Sequence, residues 1–137
     1  MATKTPEGAI KNSILQFLEV YSKKCPVMFW TQESVGIYDA RLGGFRDKKS
    51  RFQKNGVADI IMIKNYYDLP IVIFFEVKSE NGRQTSSQKD FEREINEING
   101  FYFVVKSIDD VILCLEIVRE RVETKVARVV SARGTLN

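Results

Sequence analysis

The chain has 137 residues, 44 % of them hydrophobic, and a formal net charge of +3. Its length suits one domain with one core, and its hydrophobic content excludes a disordered segment. Histidine is absent, which removes His general bases, Ser-His and Cys-His nucleophiles and most zinc sites, so enzymatic chemistry would rest on carboxylates, lysines, hydroxyls or a hard metal ion.

The first element in chain order is a helix over 5–22. Thr5 is its expected cap and Pro6 its first helical residue. Ile10, Ile14, Phe17, Leu18 and Tyr21 make one apolar stripe at helical spacing. Glu7 falls at the start of that stripe. It reads either as a solvated first-turn acid favoured by the helix dipole or as a carboxylate aimed at a site. After Pro26, the run Val27–Thr31 is strand-like, with Val35-Gly36-Ile37-Tyr38 as its expected hairpin partner. Residues 41–55 read as a loop by their glycines and lack of period. Arg41, Arg46, Lys48, Lys49, Arg51 and Lys54 are opposed there only by Asp47, with Phe45 and Phe52 interleaved. The segment is either a solvated loop or one that tracks a phosphate backbone.

Two continuous apolar runs follow, Ile60–Ile63 and Ile71–Phe75, joined by a turn through Asn65–Pro70. Continuous rather than alternating apolarity predicts central strands covered on both faces. Thr85-Ser86-Ser87-Gln88 has the form of a capping box. It opens a helix running to about Asn99, with Phe91, Ile95 and Ile98 inward and Gly100 as its stop. Phe101–Val105 is the next strand. Ser107 caps a last helix that begins with Asp109 and Asp110 and carries Val111, Ile112, Leu115 and Val118. Residues 1–127 make the expected domain, and 128–137 read as a loose basic tail. The chain is therefore predicted to be α/β, a mixed central sheet flanked by helices in the order α-β-β-β-β-α-β-α. Residues 71–105 form a β-α-β unit with parallel pairing and a right-handed crossover.

Cys25 and Cys114 have no metal-ligand spacing. They leave open a disulfide or two reduced thiols, the second being ordinary in a cytosolic protein. No segment is long and apolar enough to span a membrane, and the N-terminus lacks the apolar core of a signal peptide. The expected location is cytoplasmic.

The chemistry concentrates at the strand ends. Glu76 and Lys78 are two residues apart on one strand and leave the same face. Asp59 heads the preceding strand. Antiparallel pairing through the 64–70 turn would bring it beside Glu76. Two carboxylates can bind a hard divalent cation through oxygen and leave positions for water and phosphate. A neighbouring lysine can orient or deprotonate the attacking water, or stabilise the charged phosphate. Glu-x-Lys alone carries little, because Glu123-Thr124-Lys125 repeats it on a predicted helix. On residues alone, Glu76 and Lys78 read equally well as part of a site and as an ordinary ion pair near a strand end.

The runs Asn55-Gly56-Val57-Ala58-Asp59, Phe75-Glu76-Val77-Lys78-Ser79-Glu80-Asn81-Gly82-Arg83 and Ser87-Gln88-Lys89-Asp90-Phe91, with Gly100–Ser107 after them, resemble a VRR-NUC domain of the PD-(D/E)XK nuclease superfamily. The resemblance covers roughly residues 5–118. It implies a restriction-endonuclease-like core and Mg²⁺-dependent DNA cleavage, with Mn²⁺ as a substitute. By position, Asp59 and Glu76 resemble the metal-binding acids and Lys78 the catalytic lysine. Gln88 resembles the helix glutamine that reaches the site, and Glu7 an additional N-terminal metal ligand. The Val77 carbonyl is a further expected ligand. Arg83 joins the 41–54 cations as an expected DNA contact. Ala58 departs from the family's usual proline, a structural position without chemistry.

Stand-alone members resemble phage or prophage enzymes that act on branched DNA, including four-way (Holliday) junctions, as homodimers. No membrane and no small-molecule cofactor are implied. The competing readings are a non-catalytic DNA-binding module and a restriction-type or flap endonuclease on the same core. A metal-independent RNA endonuclease of tRNA-splicing type relies on histidine, which this chain lacks.

Overall fold

The structure is a computed structural model that describes residues 5–32, 37–41, 43–46 and 51–135. Its elements are α1 (Glu7–Ser22), β1 (Val27–Thr31), β2 (Ile37–Asp39), β3 (Gly44–Arg46), β4 (Ile60–Tyr66), β5 (Leu69–Val77), α2 (Ser86–Glu97), β6 (Phe101–Val105) and α3 (Ile108–Thr135). A four-stranded sheet in the order β1-β4-β5-β6 carries the fold. β4 runs antiparallel to β1 and β5, and β6 is parallel to β5. The chain is thus mixed α/β, with the expected parallel β5-α2-β6 unit.

The apolar runs of β4 and β5 are fully covered on one face; on the other, cover is confined to the Phe74 end, and Val72 is exposed, so the expected two-sided burial holds only in part. On one face Ile60, Met62, Ile73, Phe75 and Val77 pack with Ile14 and Leu18 of α1 and with Val111, Leu115 and Val118 of α3. On the other, Phe91 and Ile95 of α2 pack on Ala58 and Tyr102, with Phe74 against them. The Phe74 and Phe91 rings meet edge to face at 5.2 Å. Adjacent residues on β5 therefore serve different layers. Phe75 and Val77 belong to the α1/α3 core, whereas Phe74 faces α2.

Several expectations are corrected. Pro6 precedes α1 rather than opening it: its backbone is extended, with φ −61° and ψ 146°, and no side chain caps the helix. The Pro6 carbonyl accepts the first bonds, from the N–H groups of Ala9 and Ile10. β1 does not pair with the segment after it but lies along β4, Val27 opposite Lys64 and Thr31 opposite Ile60. Ile37–Asp39 pairs instead with Gly44–Arg46, so β3 stands within the expected loop, closes a two-stranded ribbon with β2 and adds a fifth strand before α2. Val35 and Gly36 lie outside the described residues.

At the end of α2, Asn99 rather than Gly100 takes the left-handed conformation, with φ 60°, and Ile98 is exposed rather than inward. Ile112 of α3 is exposed too. α3 continues through the expected tail to Thr135. Residues 119–130 hold strong helix formers with no glycine or proline. Val122 and Val126 extend the packed stripe, and Arg119 pairs with Glu116 and Glu123 on adjoining turns. Both cysteines are free thiols. Among the described residues, no helix is long and apolar enough to cross a membrane.

Candidate active site

The β4–β5 ladder runs from Tyr66↔Leu69 to Ile60↔Phe75. One residue further along the same register, Asp59 stands beside Glu76. On its other side the Asp59 carbonyl accepts the Gln32 N–H at 2.9 Å, continuing the β1 edge. The ladder ends with a substitution of side chain for backbone: the Val77 N–H donates to Asp59 Oδ2 at 2.8 Å. That bond holds the Asp59 carboxylate at the end of β5 and satisfies a buried backbone donor. It is also the contribution of Val77 seen here, made through its N–H.

Glu76 is buried, 1 % exposed, and Lys78 is 7 % exposed. Both leave the α2 face of β5, and Lys78 Nζ lies 3.5 Å from Glu76 Oε1. Gln88 completes the group. Thr85 and Gln88 form the expected capping box: Thr85 Oγ1 accepts the Gln88 N–H, and Gln88 Oε1 accepts the Thr85 N–H at 2.8 Å. With its oxygen engaged there, the amide turns its NH₂ outward, and Nε2 donates to Glu76 Oε1 at 2.8 Å. One side chain thus caps α2 and fixes the orientation of the buried carboxylate.

Glu76 Oε2 is the buried side-chain oxygen without a hydrogen-bond partner among the described residues. An orphaned acceptor in so dry a place calls for an explanation. Burial pushes the Glu76 carboxyl up to about 8, and the negative charge of Asp59 adds to the rise against the pull of Lys78. A divalent cation between Asp59 and Glu76 would supply the missing partner and relieve the repulsion. The donor set fits such an ion: two carboxylates, with water and phosphate oxygens for the rest, is the way Mg²⁺ is commonly held. Among the described residues, no three of Asp, Glu, Cys and His gather into a metal-binding group. Glu7 is exposed on the first turn of α1 and is not brought to the two acids.

A glycine sets the distance between α2 and the Asp59 end of β4. Gly56 has φ +73°, and a Cβ there would overlap the Ser87 carbonyl and lie 2.7 Å from the Gln88 nitrogen. The backbone before Asp59 therefore rests directly on the first turn of α2. Ala58, at the position where the family's proline was expected, is fully buried under Phe91, Ile95 and Tyr102.

No protein-family model, curated protein or solved structure matches the chain.

The expected DNA contacts differ in their surroundings. Arg41 and Arg83 are exposed. The Arg51 guanidinium sits 4.6 Å over the Phe52 ring. Lys54 is paired with Glu94 of α2 at 2.9 Å, so its charge is shared with a carboxylate. Arg46 is placed by its backbone in β3, and Lys48 and Lys49 lie outside the described residues.

The structure adds residues that the sequence reading did not single out. A polar cavity of about 430 Å³ beside Asp59 is lined by Lys11, Gln32, Thr85, Ser87 and Gln88. Lys11 lies one helical turn beyond Glu7, and that i,i+4 relation was the available signal for it. A second concavity, of about 590 Å³, lies at the start of β5 and is walled mainly by apolar side chains such as Leu69, Val122 and Val129. Among the described residues no carboxylate lines it, so they offer none of the chemistry gathered at the other end of the strand.

Proposed function

We propose that this chain is a metal-dependent DNA endonuclease with a PD-(D/E)XK core, related to the VRR-NUC domains its motifs resemble. The observation that carries the reading is the buried Glu76 carboxylate, held by Gln88 and Lys78 with one oxygen left unpartnered towards an aspartate. A purely structural ion pair has no need of a second, half-buried carboxylate beside it, which costs stability. Asp59 and Glu76 would hold Mg²⁺ or Mn²⁺, with the Val77 carbonyl as a further ligand. The cation supplies water of lowered pKa and neutralises charge on the phosphate.

The chain's own groups do the rest. Gln88 keeps Glu76 in one orientation. Lys78 Nζ is held at 3.5 Å from Glu76 Oε1 and has further N–H donors for a phosphoryl oxygen as its charge rises. In hydrolysis the water oxygen bonds to phosphorus, one P–O ester bond breaks, and the leaving oxygen takes up a proton. Branched DNA, including four-way junctions, is the proposed substrate. A C₂ homodimer would present two sites for symmetric cutting. The proposed setting is the cytoplasm of a bacterial or phage-infected cell.

Asp59 separates cleavage from binding. Asp59→Ala is expected to lower Mg²⁺-dependent DNA cleavage by at least about 10²–10³-fold, the size of losing one preorganised electrostatic contact. DNA affinity, measured by fluorescence anisotropy, should stay near that of wild type. Ala also leaves the Val77 N–H without its acceptor, at about 1–3 kcal/mol. Asp59→Asn keeps an acceptor oxygen there without the charge and should be equally inactive. Full activity in the Asn variant would remove Asp59 from the chemistry.

A further inference from the structure

We infer that the apolar concavity between the start of β5 and the last turns of α3 is a docking surface for a second copy of this chain, with the two α3 helices antiparallel. The inference takes up the C₂ homodimer proposed above and names its surface; it is independent of the cleavage chemistry. The concavity, about 590 Å³, has Leu69 and Val72 of β5 and Val129 and Val130 of α3 among its walls. All four are exposed apolar side chains, Val129 at 56 % and Val130 at 64 %. β6 joins β5 only from Ile73 onward. The first four residues of β5 thus have no strand beside them on that edge among the described residues, and the concavity lies along them.

α3 packs against the core as far as Val126 but continues to Thr135, and every residue from Ala127 to Ser131 is exposed. Helices in proteins are held mainly by packing of an apolar face, and β-branched residues such as Val129 and Val130 are weak helix formers. An overhang that carries two exposed valines is half of an interface. The charges of α3 select the other half. Every acid of the helix lies at or before Glu123, and from Thr124 to Thr135 its charged residues are Lys125, Arg128 and Arg133. Two copies laid antiparallel set acidic half against basic half, whereas a parallel pair would stack like charges. Lys125 already lies over the Phe101 ring at 5.5 Å, which leaves Arg128 and Arg133 to meet the partner. A nucleic acid would use those cations but not the apolar walls. Under a two-fold axis each copy offers the same concavity, so the contact closes on itself.

The test is sedimentation equilibrium of the full chain at micromolar concentrations, in EDTA and without DNA. Wild type is expected to dimerise. Val129→Glu combined with Val130→Glu changes two exposed positions and should raise the dimer Kd at least about tenfold, the size of losing a central interface contact. Two charge-reversed chains give a sharper readout. Arg128→Glu with Arg133→Glu reverses the basic half of α3, and Glu120→Lys with Glu123→Lys reverses the acidic half. Each alone should dimerise at least about tenfold more weakly than wild type. An equimolar mixture of the two should form a heterodimer about as tight as the wild-type dimer, because each reversed half then meets its complement. Melting curves verify that every variant is folded.

A wild type that stays monomeric overturns the surface and the homodimer together, while cleavage in Mg²⁺, scored separately, decides the nuclease. A wild-type dimer that these substitutions leave unmoved overturns this surface alone, as do reversed chains that fail to pair when mixed. Variants that stay dimeric but lose DNA affinity make the end of α3 a nucleic-acid contact and overturn the surface as well.

Discussion

Glu76→Gln is expected to abolish cleavage and, at the same time, to make the metal-free protein more stable above neutral pH. The two effects have one cause. The Glu76 carboxyl is buried beside Asp59 and is pushed from its ordinary 4.5 up to about 8. Between those values the folded chain holds a proton on Glu76 that the unfolded chain has released. Because the native state then binds more protons, stability falls as pH rises through that window. It is present in full below the unfolded value and has been lost by the time the folded carboxyl ionises. Glutamine keeps the shape and an oxygen for the Gln88 NH₂, and it carries no charge to desolvate. Melting curves in EDTA should therefore be flatter from pH 5 to pH 8 for Glu76→Gln, and its Tm at pH 8 higher than that of wild type.

Divalent cation should reverse the order. Mg²⁺ binding to the folded state raises the wild-type Tm by mass action, and Glu76→Gln should gain little. Cleavage by the variant should fall at least about 10²–10³-fold. A variant less stable than wild type in EDTA at pH 8 would mean that the Glu76 charge is well compensated, and the strain attributed to the site would be absent.

The second large effect is expected from Gly56→Ala, which leaves the chemical groups themselves untouched. The left-handed backbone at φ +73° costs a non-glycine residue about 1–2 kcal/mol. Overlap of the new Cβ with the Ser87 carbonyl adds about 1–3 kcal/mol, as overpacking does. For a domain of this size the sum lowers Tm by roughly 10 °C. Relief can come only by moving α2 off the β4 end, which pulls Gln88 Nε2 away from Glu76 Oε1. Cleavage should drop even at temperatures where the variant is folded. Gly56→Asn isolates the cause, because asparagine tolerates the left-handed region yet carries a Cβ. It should be as impaired as Ala. Recovery with Asn would show that backbone strain, and not the close approach of α2, is what glycine relieves.

How much of this was legible in the sequence depends on how local the signal is. The capping box at Thr85–Gln88 is a pattern within four residues, and it stands as read. The convergence of Asp59 and Glu76 needed one non-local fact, the antiparallel register of β4 and β5. The short turn between them makes that pairing nearly inevitable, and the observed register extends to place the two side by side. β1 had no such constraint. Its partner β4 lies beyond a ribbon and a basic segment, and nothing in Val27–Thr31 distinguishes a distant antiparallel strand from a nearby one.

Charges were legible as types but not as partners. Lys54 belongs by composition to a basic loop, yet it reaches Glu94 on a helix forty residues on. Glu7 and Lys11 share one face of α1, and it is Lys11 that lines the cavity at Asp59. Helical spacing fixed the face but not how far along the axis the sheet edge would fall. α3 outran its expected end because a basic, weakly periodic segment looks like a tail. Its Glu116–Arg119–Glu123 pairs and the Val122 and Val126 contacts make it a helix.

The proposed activity is DNA cleavage with a divalent metal held by Asp59 and Glu76. Its most direct test is cleavage by purified wild-type protein of labelled linear, flap, splayed and four-way DNA, with Mg²⁺, with Mn²⁺ and with EDTA. Endonucleolytic products should form with either metal and vanish in EDTA, and the four-way junction should be cut fastest. Folded protein that leaves every substrate intact under both metals would contradict the account.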